Sequence, residues 1–384
     1  MYLELNSEQK NVQRMVRDFA LQEVVPFVDI YDREERFPVE IVKKMAALGL
    51  LGGTIPEAYG GAGLDHQTQV VAVEEMSRYC HVMGLCISLA SGLVGSSILQ
   101  YGTEDQKQKY LAPLARGEVF AGAGVTEPHS GTDVAAMETT CQRTESGYIL
   151  NGAKTWISFL DVGEWFVTFA TLDKNLGPKG ICAFIVEKNF PGLSCKPFKN
   201  KLGFRPISTG ELVFQDCFVP KENLLGAEGE GLKIALCAVE NGRMTVAARA
   251  VGLAQACLDA SVQYAKERIV FGQPIGKYQL VQSMITDMLV GIESARYLTH
   301  KLAWLKDQGH KRARQASSLA KMHASDVAMM AAMNAVQIHG AYGVSEDYHV
   351  ARLFRDAKVF QIVEGQNQIH KVLIAEIALG YRNA

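Results

Sequence analysis

The chain has 384 residues and a net charge of −2, so it is long enough for two or three domains and lacks the basic surface expected of a nucleic-acid-binding protein. Hydrophobic residues make up 48% and charged residues 21% of the chain, as in ordinary globular proteins. No run of about 18 apolar residues occurs, and the N-terminus has no apolar core of the signal-peptide type. We therefore expect a cytoplasmic protein without membrane insertion.

Eight cysteines are scattered along the chain. None forms a CxxC pair, and no Cys/His cluster has the spacing of a zinc site. Free thiols in a reducing compartment are the expected state, and no metal site is predicted.

Residues 1–120 are predicted to be helical. Ser7 can cap the first helix, and Pro38 stands where another helix can begin. Residues 66–80 and 84–100 form two apolar helical patterns, the second almost without charge. A helix that is apolar on all sides is buried or lines a pocket for an apolar ligand.

Residues 121–228 change to a strand pattern. Two β-prone runs within residues 148–158 flank Asn151-Gly152, which is the strongest short signal for a hairpin. Further strands are predicted at 165–172, 181–187 and 211–218. The size and pattern predict a small antiparallel β-domain, a barrel or a sandwich.

Residues 229–384 return to the helical period. Long amphipathic helices joined by short connections predict an antiparallel four-helix bundle, with helices at 231–268, 277–308, 314–340 and 366–380. The chain as a whole is predicted to be mainly α with a central β-domain.

A single carboxylate near the C-terminus, Glu364, follows Ile362 and Val363 and precedes Gly365. In an apolar pocket a carboxylate loses hydration, and its pKa rises toward the range of a base at neutral pH. The alternative is a solvated glutamate at a helix start, where the helix dipole favours negative charge. These residues alone leave both interpretations open.

Several short motifs, in a fixed order, resemble those of the acyl-CoA dehydrogenase family of flavoproteins over essentially the whole chain. The order and number of the motifs support the resemblance, since one alone would be weak evidence. They are Ile55-Pro56-Glu57, Val125-Thr126-Glu127-Pro128, Lys154-Thr155-Trp156-Ile157-Ser158, Lys201-Leu202-Gly203, Arg268 with Phe271-Gly272, Gln337-Ile338-His339-Gly340, Arg355-Asp356 and Glu364-Gly365.

The resemblance implies an N-terminal helical domain (1–120), a middle antiparallel β-barrel (121–228) and a C-terminal four-helix bundle (229–384). It also implies FAD between barrel and bundle at a dimer interface, and a homotetramer built as a dimer of dimers. The implied reaction, in fatty acid metabolism, is α,β-dehydrogenation of an acyl thioester. Glu364 would remove the α-proton while the β-hydrogen passes as hydride to flavin N5. Electrons would then go to an electron-transfer flavoprotein.

The same resemblance assigns site residues one by one. Substrate contacts are expected from Glu240, Arg243 and Gly365. Cofactor contacts are expected from Val125, Thr126, Gly131, Thr132, Trp156, Ser158, Arg268, Phe271, Gln279, Gln337, Gly340, Gln366 and Gln368. Simpler interpretations stay open for some of them: a core position for Trp156, a solvated end-of-helix charge for Arg268, and an ion pair between Glu240 and Arg243 on a helix surface.

Three departures from the family pattern bear on the substrate. Val363 stands where the family commonly has Tyr, and Gln366 where it has Thr. Gly84 stands where glutaryl-CoA-type members have an arginine for the distal carboxylate. An unpaired carboxylate in an apolar pocket is costly, so a short or branched apolar acyl group is expected.

Three other functions stay open from the sequence. The same reaction can act on an acyl chain tethered to an acyl-carrier protein, since both carriers present phosphopantetheine. A flavin oxidase or monooxygenase on this fold would differ by rapid reoxidation in air. A binding protein without enzymatic activity would be colourless and free of FAD.

Overall fold

The computed structural model describes residues 4–382. Asn6, and not Ser7, caps the first helix. Its side chain accepts a hydrogen bond from the backbone N–H of Gln9, and the Gln9 side chain accepts one from the backbone N–H of Asn6. The N-terminal helices are α1 (Ser7–Phe19), α2 (Val28–Glu34), α3 (Val39–Ala47), α4 (His66–Tyr79), α5 (His81–Ile87), α6 (Leu93–Tyr101), α7 (Glu104–Gln106) and α8 (Ala112–Ala115).

The predicted helix at 84–100 is broken in two, because α5 ends at Ile87 and α6 begins at Leu93. The backbone N–H of Gly92 donates to the carbonyl of Ser88 and turns the chain. At Gly95 a Cβ atom would collide with the carbonyl of Ala90, so the tight turn requires glycine there. Segment 88–92 therefore forms a bend, which lines the cavity described below.

The middle of the chain forms one eight-stranded sheet in the order β6-β7-β3-β2-β4-β5-β8, with β1 paired to β4. The pairings of β4 with β1 and with β2 are parallel. The prediction of a wholly antiparallel barrel is therefore wrong in that respect, and the strand pairings of residues 4–382 do not close a barrel. The strands are β1 (Phe120–Gly124), β2 (Thr140–Arg143), β3 (Gly147–Ser158), β4 (Gly163–Thr171), β5 (Ile181–Glu187), β6 (Leu193–Pro197), β7 (Thr209–Pro220) and β8 (Leu224–Leu225).

The hairpin predicted at Asn151-Gly152 is wrong, since β3 runs through it as one strand. The register between β3 and β7 shifts between Leu150 and Gly152, and Gly152 has φ +141°. Asn151 exchanges two hydrogen bonds with Asp216 on β7, of 3.0 and 2.8 Å. The Asn-Gly pair thus forms a β-bulge, which bends the strand instead of reversing it.

The last part of the chain contains the four predicted long helices and one that was not predicted, Val350–Phe360. The longest helix, Gly231–Glu267, packs against α4 and against the two long helices that follow it. No helix among residues 4–382 is both long and apolar enough to cross a membrane. The elements are α9 (Gly231–Glu267), β9 (Ile269–Val270), β10 (Gln273–Pro274), α10 (Gln279–Asp307), α11 (Ala313–His339), α12 (Val350–Phe360) and α13 (Asn367–Ala378).

A buried ion pair fixes the loop after β1 to the sheet. Lys154 Nζ lies 2.7 Å from Glu127 Oε1, and the two side chains are 0% and 1% exposed. The same carboxylate accepts the backbone N–H groups of residues 138 and 139. The neighbouring backbone N–H of Thr155 donates to the carbonyl of Thr126 at 2.8 Å. This pair therefore positions the Thr126 loop beside the end of β3.

We expect Lys154→Met to lower the free energy of unfolding by about 3–5 kcal/mol, because it leaves the carboxylate of Glu127 buried without a counterion. Lys109→Met is the matched control. Lys109 is 60% exposed and pairs with Glu187, so its loss should cost about 0–1 kcal/mol. Urea unfolding followed by circular dichroism measures both free energies of unfolding. Equal decreases in the two variants would show that the buried pair contributes no more to stability than the exposed pair.

Candidate active site

A cavity of about 1480 Å³ lies between the sheet, the bend after α5, helix α9 and the turn between α12 and α13. Pockets for one drug-sized ligand are about 300–1,000 Å³. The cavity is therefore large enough for a cofactor and a substrate side by side.

Glu364 lies in the turn between α12 and α13, with its backbone in the left-handed region at φ +56°. Such a conformation costs about 1–3 kcal/mol for a residue other than glycine. Two cations hold the turn: Arg243 Nε donates to the carbonyl of Glu364 at 3.3 Å, and Lys321 Nζ donates to the carbonyl of Gly365 at 2.7 Å. These contacts maintain the backbone conformation that directs the Glu364 side chain into the cavity.

Glu364 is half-buried, and its buried Oε2 has no hydrogen-bond partner among the described residues. Burial raises the pKa of Glu364 to about 7, against the opposing charges of Arg243, Lys321 and Arg249. Gly242 on α9 lies so close that a Cβ atom there would be 2.5 Å from Glu364 Oε1. A carboxylate with this pKa is half ionised at neutral pH and is suited to act as a base.

Lys321 is a site residue that the sequence analysis missed. It is fully buried on α11, and its ammonium also donates to Asn367 Oδ1 at 2.9 Å. Burial lowers the pKa of Lys321 to about 7. The available signal was a lysine whose neighbours one helical turn away are small residues, Ser317, Ala324 and Ser325. Such a face tends to be buried, and a buried lysine generally needs a specific partner.

The sheet side of the cavity carries an exposed aromatic ring. Trp156, near the end of β3, is 63% exposed and has φ +61°. Its ring packs edge-on against Phe198 with centroids 5.1 Å apart. The interpretation of Trp156 as a core residue is therefore wrong. An exposed indole beside the Ser158 hydroxyl offers a flat apolar surface with a polar group at its edge, which fits a planar ring system such as a flavin.

The structure brings many of the predicted site residues together around this cavity. The ones that line it are Val125, Thr126, Gly131, Thr132, Trp156, Ser158, Glu240, Arg243, Glu364, Gly365 and Gln366. Glu240 and Arg243 form no ion pair with each other within residues 4–382. The structure instead directs Arg243 to the Glu364 turn.

The remaining predicted residues do not line the cavity of this chain. Arg268 follows α9, with its guanidinium carbon 5.8 Å from the centre of the Tyr342 ring. Phe271 is 94% exposed and has φ +50°, which is unusual for an aromatic residue. The others are also exposed, at the start of α10, the end of α11 and the start of α13: Gln279, Gln337, Gly340 and Gln368.

The sequence analysis took position 84 as the place where an arginine would contact the far end of the acyl group, and the structure corrects this. Gly84 is buried in α5, and a Cβ atom there would collide with the Ser77 hydroxyl of α4, so this position faces α4. The residues of that segment that line the cavity include Leu85 and Ser88. A cation does line the cavity there, but it is Arg249 of α9, which the sequence analysis did not consider.

Three family models match the chain in order: "Acyl-CoA dehydrogenase, N-terminal domain" over residues 6–118, "middle domain" over 122–217 and "C-terminal domain" over 229–379. A relative from Clostridium acetobutylicum, "Acyl-CoA dehydrogenase, short-chain specific", is 44% identical over 375 residues, which are 98% of this chain and 99% of that protein.

Two solved structures have nearly the same fold. One chain comes from the structure described as "Electron transferring flavoprotein of Acidaminococcus fermentans: Towards a mechanism of flavin-based electron bifurcation". It is 42% identical, with a TM-score of 0.96, and the match covers 99% of this chain and 100% of that chain. The other is "Structure of the glutaryl-coenzyme A dehydrogenase glutaryl-CoA complex", which is 40% identical with a TM-score of 0.96 and covers 100% and 98%.

The fold is helical with a central sheet, and its cavity contains a carboxyl group, Glu364, whose pKa is raised to about 7, an arrangement typical of an enzyme active site. The chain belongs to the acyl-CoA dehydrogenase family. This membership confirms the predicted family, its FAD dependence and its activity, the dehydrogenation of acyl-CoA by an oxidoreductase.

We expect Gly242→Ala to lower kcat about 10- to 100-fold, because the new methyl group displaces the carboxylate of Glu364. Stability should not fall, since alanine favours a helix over glycine by about 1 kcal/mol. Gly291→Ala in α10 is the control, because its methyl group would meet only side-chain ends on α11, Met330 at 2.9 Å and Val327 at 3.2 Å, and not Glu364. Steady-state assays with an acyl-CoA and thermal unfolding measure both effects, and an unchanged kcat would contradict the tight fit at Gly242.

The pH dependence of kcat/KM should follow the ionisation of Glu364. The raised pKa keeps the carboxyl protonated and inactive below about pH 7, so kcat/KM should rise as the pH increases through that value. Arg243→Met removes a cation that favours the carboxylate and should move the profile to higher pH. Arg243→Lys keeps the charge and should move it less. Overlapping profiles for all three proteins would show that the charge of Arg243 does not influence the ionisation that controls kcat/KM.

Proposed function

We propose that this chain dehydrogenates short acyl-CoA thioesters, with Glu364 as the base that removes the α-proton. The observation that carries the proposal is the buried carboxylate of Glu364, whose Oε2 lacks a partner among the described residues and whose pKa is about 7. A thioester α-proton is only weakly acidic, so its removal needs a desolvated base beside the bound substrate. Relatives with short-chain specificity support the size class.

The cavity has groups suited to hold FAD. The hydroxyls of Thr126, Thr132 and Ser158 and the backbone at Val125 and Gly131 would hold the ring and phosphates, and Trp156 would pack near the ring. Gln366 is the polar residue closest in sequence to the base on the same cavity wall. Bound FAD supplies the two-electron acceptor for the hydrogen that leaves the β-carbon.

The residues around Glu364 would position the substrate and stabilise charge. The backbone N–H of Glu364 donates to the thioester oxygen as the α-proton leaves, when negative charge develops there. Arg243 and Lys321 keep this N–H and the carboxylate in place through the carbonyls of the turn. Glu240 and Gly365 line the way to the base.

The cavity walls also suit the anionic end of CoA. Four basic side chains, Lys179, Lys233, Arg314 and Arg382, are among the lining residues. Phosphate groups bind to such cations by charge-assisted hydrogen bonds. These residues would orient the nucleotide end of CoA while the acyl end reaches Glu364.

The predicted residues outside the cavity would complete the cofactor site of a second subunit. Arg268, Phe271, Gln279, Gln337, Gly340 and Gln368 are all exposed, and the ring of Phe271 is 94% exposed. Large exposed apolar side chains often mark interfaces. We therefore propose that the protein is a homotetramer built as a dimer of dimers. The proposed domain limits are 1–120, 121–228 and 229–384.

An electron-transfer flavoprotein is the proposed acceptor of the electrons, on the basis of the Acidaminococcus fermentans structure named above. We also propose a cytoplasmic location, because free thiols such as those of the scattered cysteines are typical of a reducing compartment.

The purified protein should be yellow, and anaerobic addition of butyryl-CoA should bleach its flavin. We expect Glu364→Gln to keep FAD but lose bleaching, because the amide cannot accept the α-proton. Glu293→Gln, at a position 63% exposed on α10, is the control and should bleach normally. The measurement is the flavin absorbance near 450 nm, a general property of oxidised flavins.

Bleaching of Glu364→Gln at a near-normal rate would disprove the role of Glu364. Bleaching by acyl-carrier-protein thioesters but not by acyl-CoA would instead favour the carrier-bound substrate. Rapid reoxidation by air would favour an oxidase, and a colourless protein would disprove the enzyme assignment.

A further inference from the structure

Arg249 is a buried cation that the proposed reaction does not use. It lies in the middle of α9, is 2% exposed and lines the same cavity as Glu364. Nε donates to the carbonyl of His81 at 3.0 Å, and Nη2 lies 3.2 Å from His81 Nδ1. Nη1 has no hydrogen bond to the described residues, and within residues 4–382 Arg249 forms no ion pair. An unpaired buried charge is costly, so it generally has a function.

The surroundings of Arg249 hold its guanidinium in one place. Its guanidinium carbon lies 5.1 Å from the centre of the Phe204 ring and 5.2 Å from that of Phe360. Both distances are in the range of cation–π contacts. Two aromatic rings and His81 therefore fix the group without neutralising its charge.

Besides Glu364, the carboxylate of Asp356 acts on Arg249, and it is already engaged elsewhere. Asp356 Oδ2 lies 2.9 Å from His81 Nε2, so an imidazole separates it from Arg249. Asp356 Oδ1 also accepts the backbone N–H of Phe204 at 2.7 Å. Burial lowers the pKa of His81, which keeps the imidazole neutral. Burial also lowers the pKa of Arg249, to about 10, so the guanidinium is still charged at neutral pH.

The position of Arg249 relative to the base fits the far end of an acyl chain. Gly242, which touches the Glu364 carboxylate, and Arg249 are seven residues apart on α9, so they share a face about 10 Å apart along the axis. Arginine side chains on helices lean toward the N-terminus, which brings the guanidinium closer to Glu364. Leu85 and Val246 line the cavity as well and offer apolar contacts to a methylene chain.

We propose that Arg249 binds a carboxylate at the far end of the acyl group, so that the preferred substrates are dicarboxylic acyl-CoA thioesters about four to six carbons long. The inference rests on the proposed function. It changes the expected substrate from a purely apolar acyl group, as the sequence indicated, to an acyl group that ends in a carboxylate. The terminal carboxylate does not react. The α-proton passes to Glu364, the β-hydrogen passes with two electrons to FAD, and the product is the enoyl thioester with its carboxylate retained.

The test compares matched pairs of substrates that differ only in the terminal group: butyryl- with succinyl-CoA, valeryl- with glutaryl-CoA and hexanoyl- with adipyl-CoA. With the FAD-loaded enzyme and an artificial electron acceptor, kcat/KM should be at least about tenfold higher for the dicarboxylic member of at least one pair. This comparison needs no variant, so it does not depend on whether a mutant folds.

Variants then assign the preference to one side chain. Arg249→Met should lower the ratio of kcat/KM for the preferred dicarboxylic substrate to that for its monocarboxylic partner about 10- to 100-fold, mainly through KM, because a change in the pKa of Glu364 affects both substrates alike. Arg249→Lys should restore part of the preference because it keeps the charge. Arg296→Met is the control, since Arg296 is paired with Glu74 and does not line the cavity, and it should not change the ratio. FAD content reports folding in each case.

The outcomes separate this inference from the proposed function. Oxidation of the monocarboxylic substrates with no dicarboxylic preference in any pair would overturn the role of Arg249 and leave the dehydrogenase intact. A dicarboxylic preference that survives Arg249→Met in an FAD-loaded protein would also overturn it. Failure of all six thioesters to bleach the flavin would contradict the proposed function itself.

Discussion

The desolvation of one carboxylate is the constraint on which the site depends. Glu364 is half-buried, with a backbone conformation that glutamate rarely adopts, and its buried Oε2 has no protein partner among the described residues. Helices α9, α11 and α12 together create this state: α9 supplies Arg243 and the space at Gly242, α11 supplies Lys321, and α12 ends just before the turn. The cations hold backbone carbonyls of the turn and give the carboxylate no hydrogen bond, so it remains free to accept a proton from a ligand.

The three cations near Glu364, which are Arg243, Lys321 and Arg249, differ in function because they contact different groups. Arg243 and Lys321 donate to carbonyls of the Glu364 turn and thereby fix geometry. Arg249 contacts the carbonyl and ring of His81 and two aromatic faces, which leaves charge available to a ligand. All three oppose the effect of burial on the pKa of Glu364, so the value near 7 reflects a balance between desolvation and positive charge.

The sequence allowed the prediction of elements with a long and regular pattern. The limits of α9 and β5 agree with the predicted 231–268 and 181–187 to within one residue. The helical period persists through α9, and β5 is a continuous apolar run that is buried on both faces. Helix α12 was missed although Val350, Leu353, Ala357 and Phe360 are buried at helical spacing. Its pattern is short and interrupted by charged residues that are paired in the fold, such as Arg352 with Asp29.

Local signals failed where tertiary contacts decided the structure. Asn151-Gly152 has the composition of a hairpin turn, but pairing with Asp216 on β7 turned it into a bulge. The motifs located Glu364 and the cavity side of β3, yet neither Lys321 nor Arg249 could be found from them. The same helices also carry exposed basic residues, such as Lys233 in α9 and Arg314 in α11. Only packing against distant segments shows that Arg249 and Lys321 are the buried ones.

The pKa of Glu364 tests the account most directly. Infrared difference spectra of the wild-type enzyme and Glu364→Gln, recorded across pH 5 to 9, isolate the carbonyl band of the protonated carboxyl group. The account predicts that this band loses half its intensity near pH 7, where burial and the neighbouring cations balance. A carboxyl group already ionised at pH 5 would contradict it, since an ordinary solvated glutamate has a pKa of about 4.3.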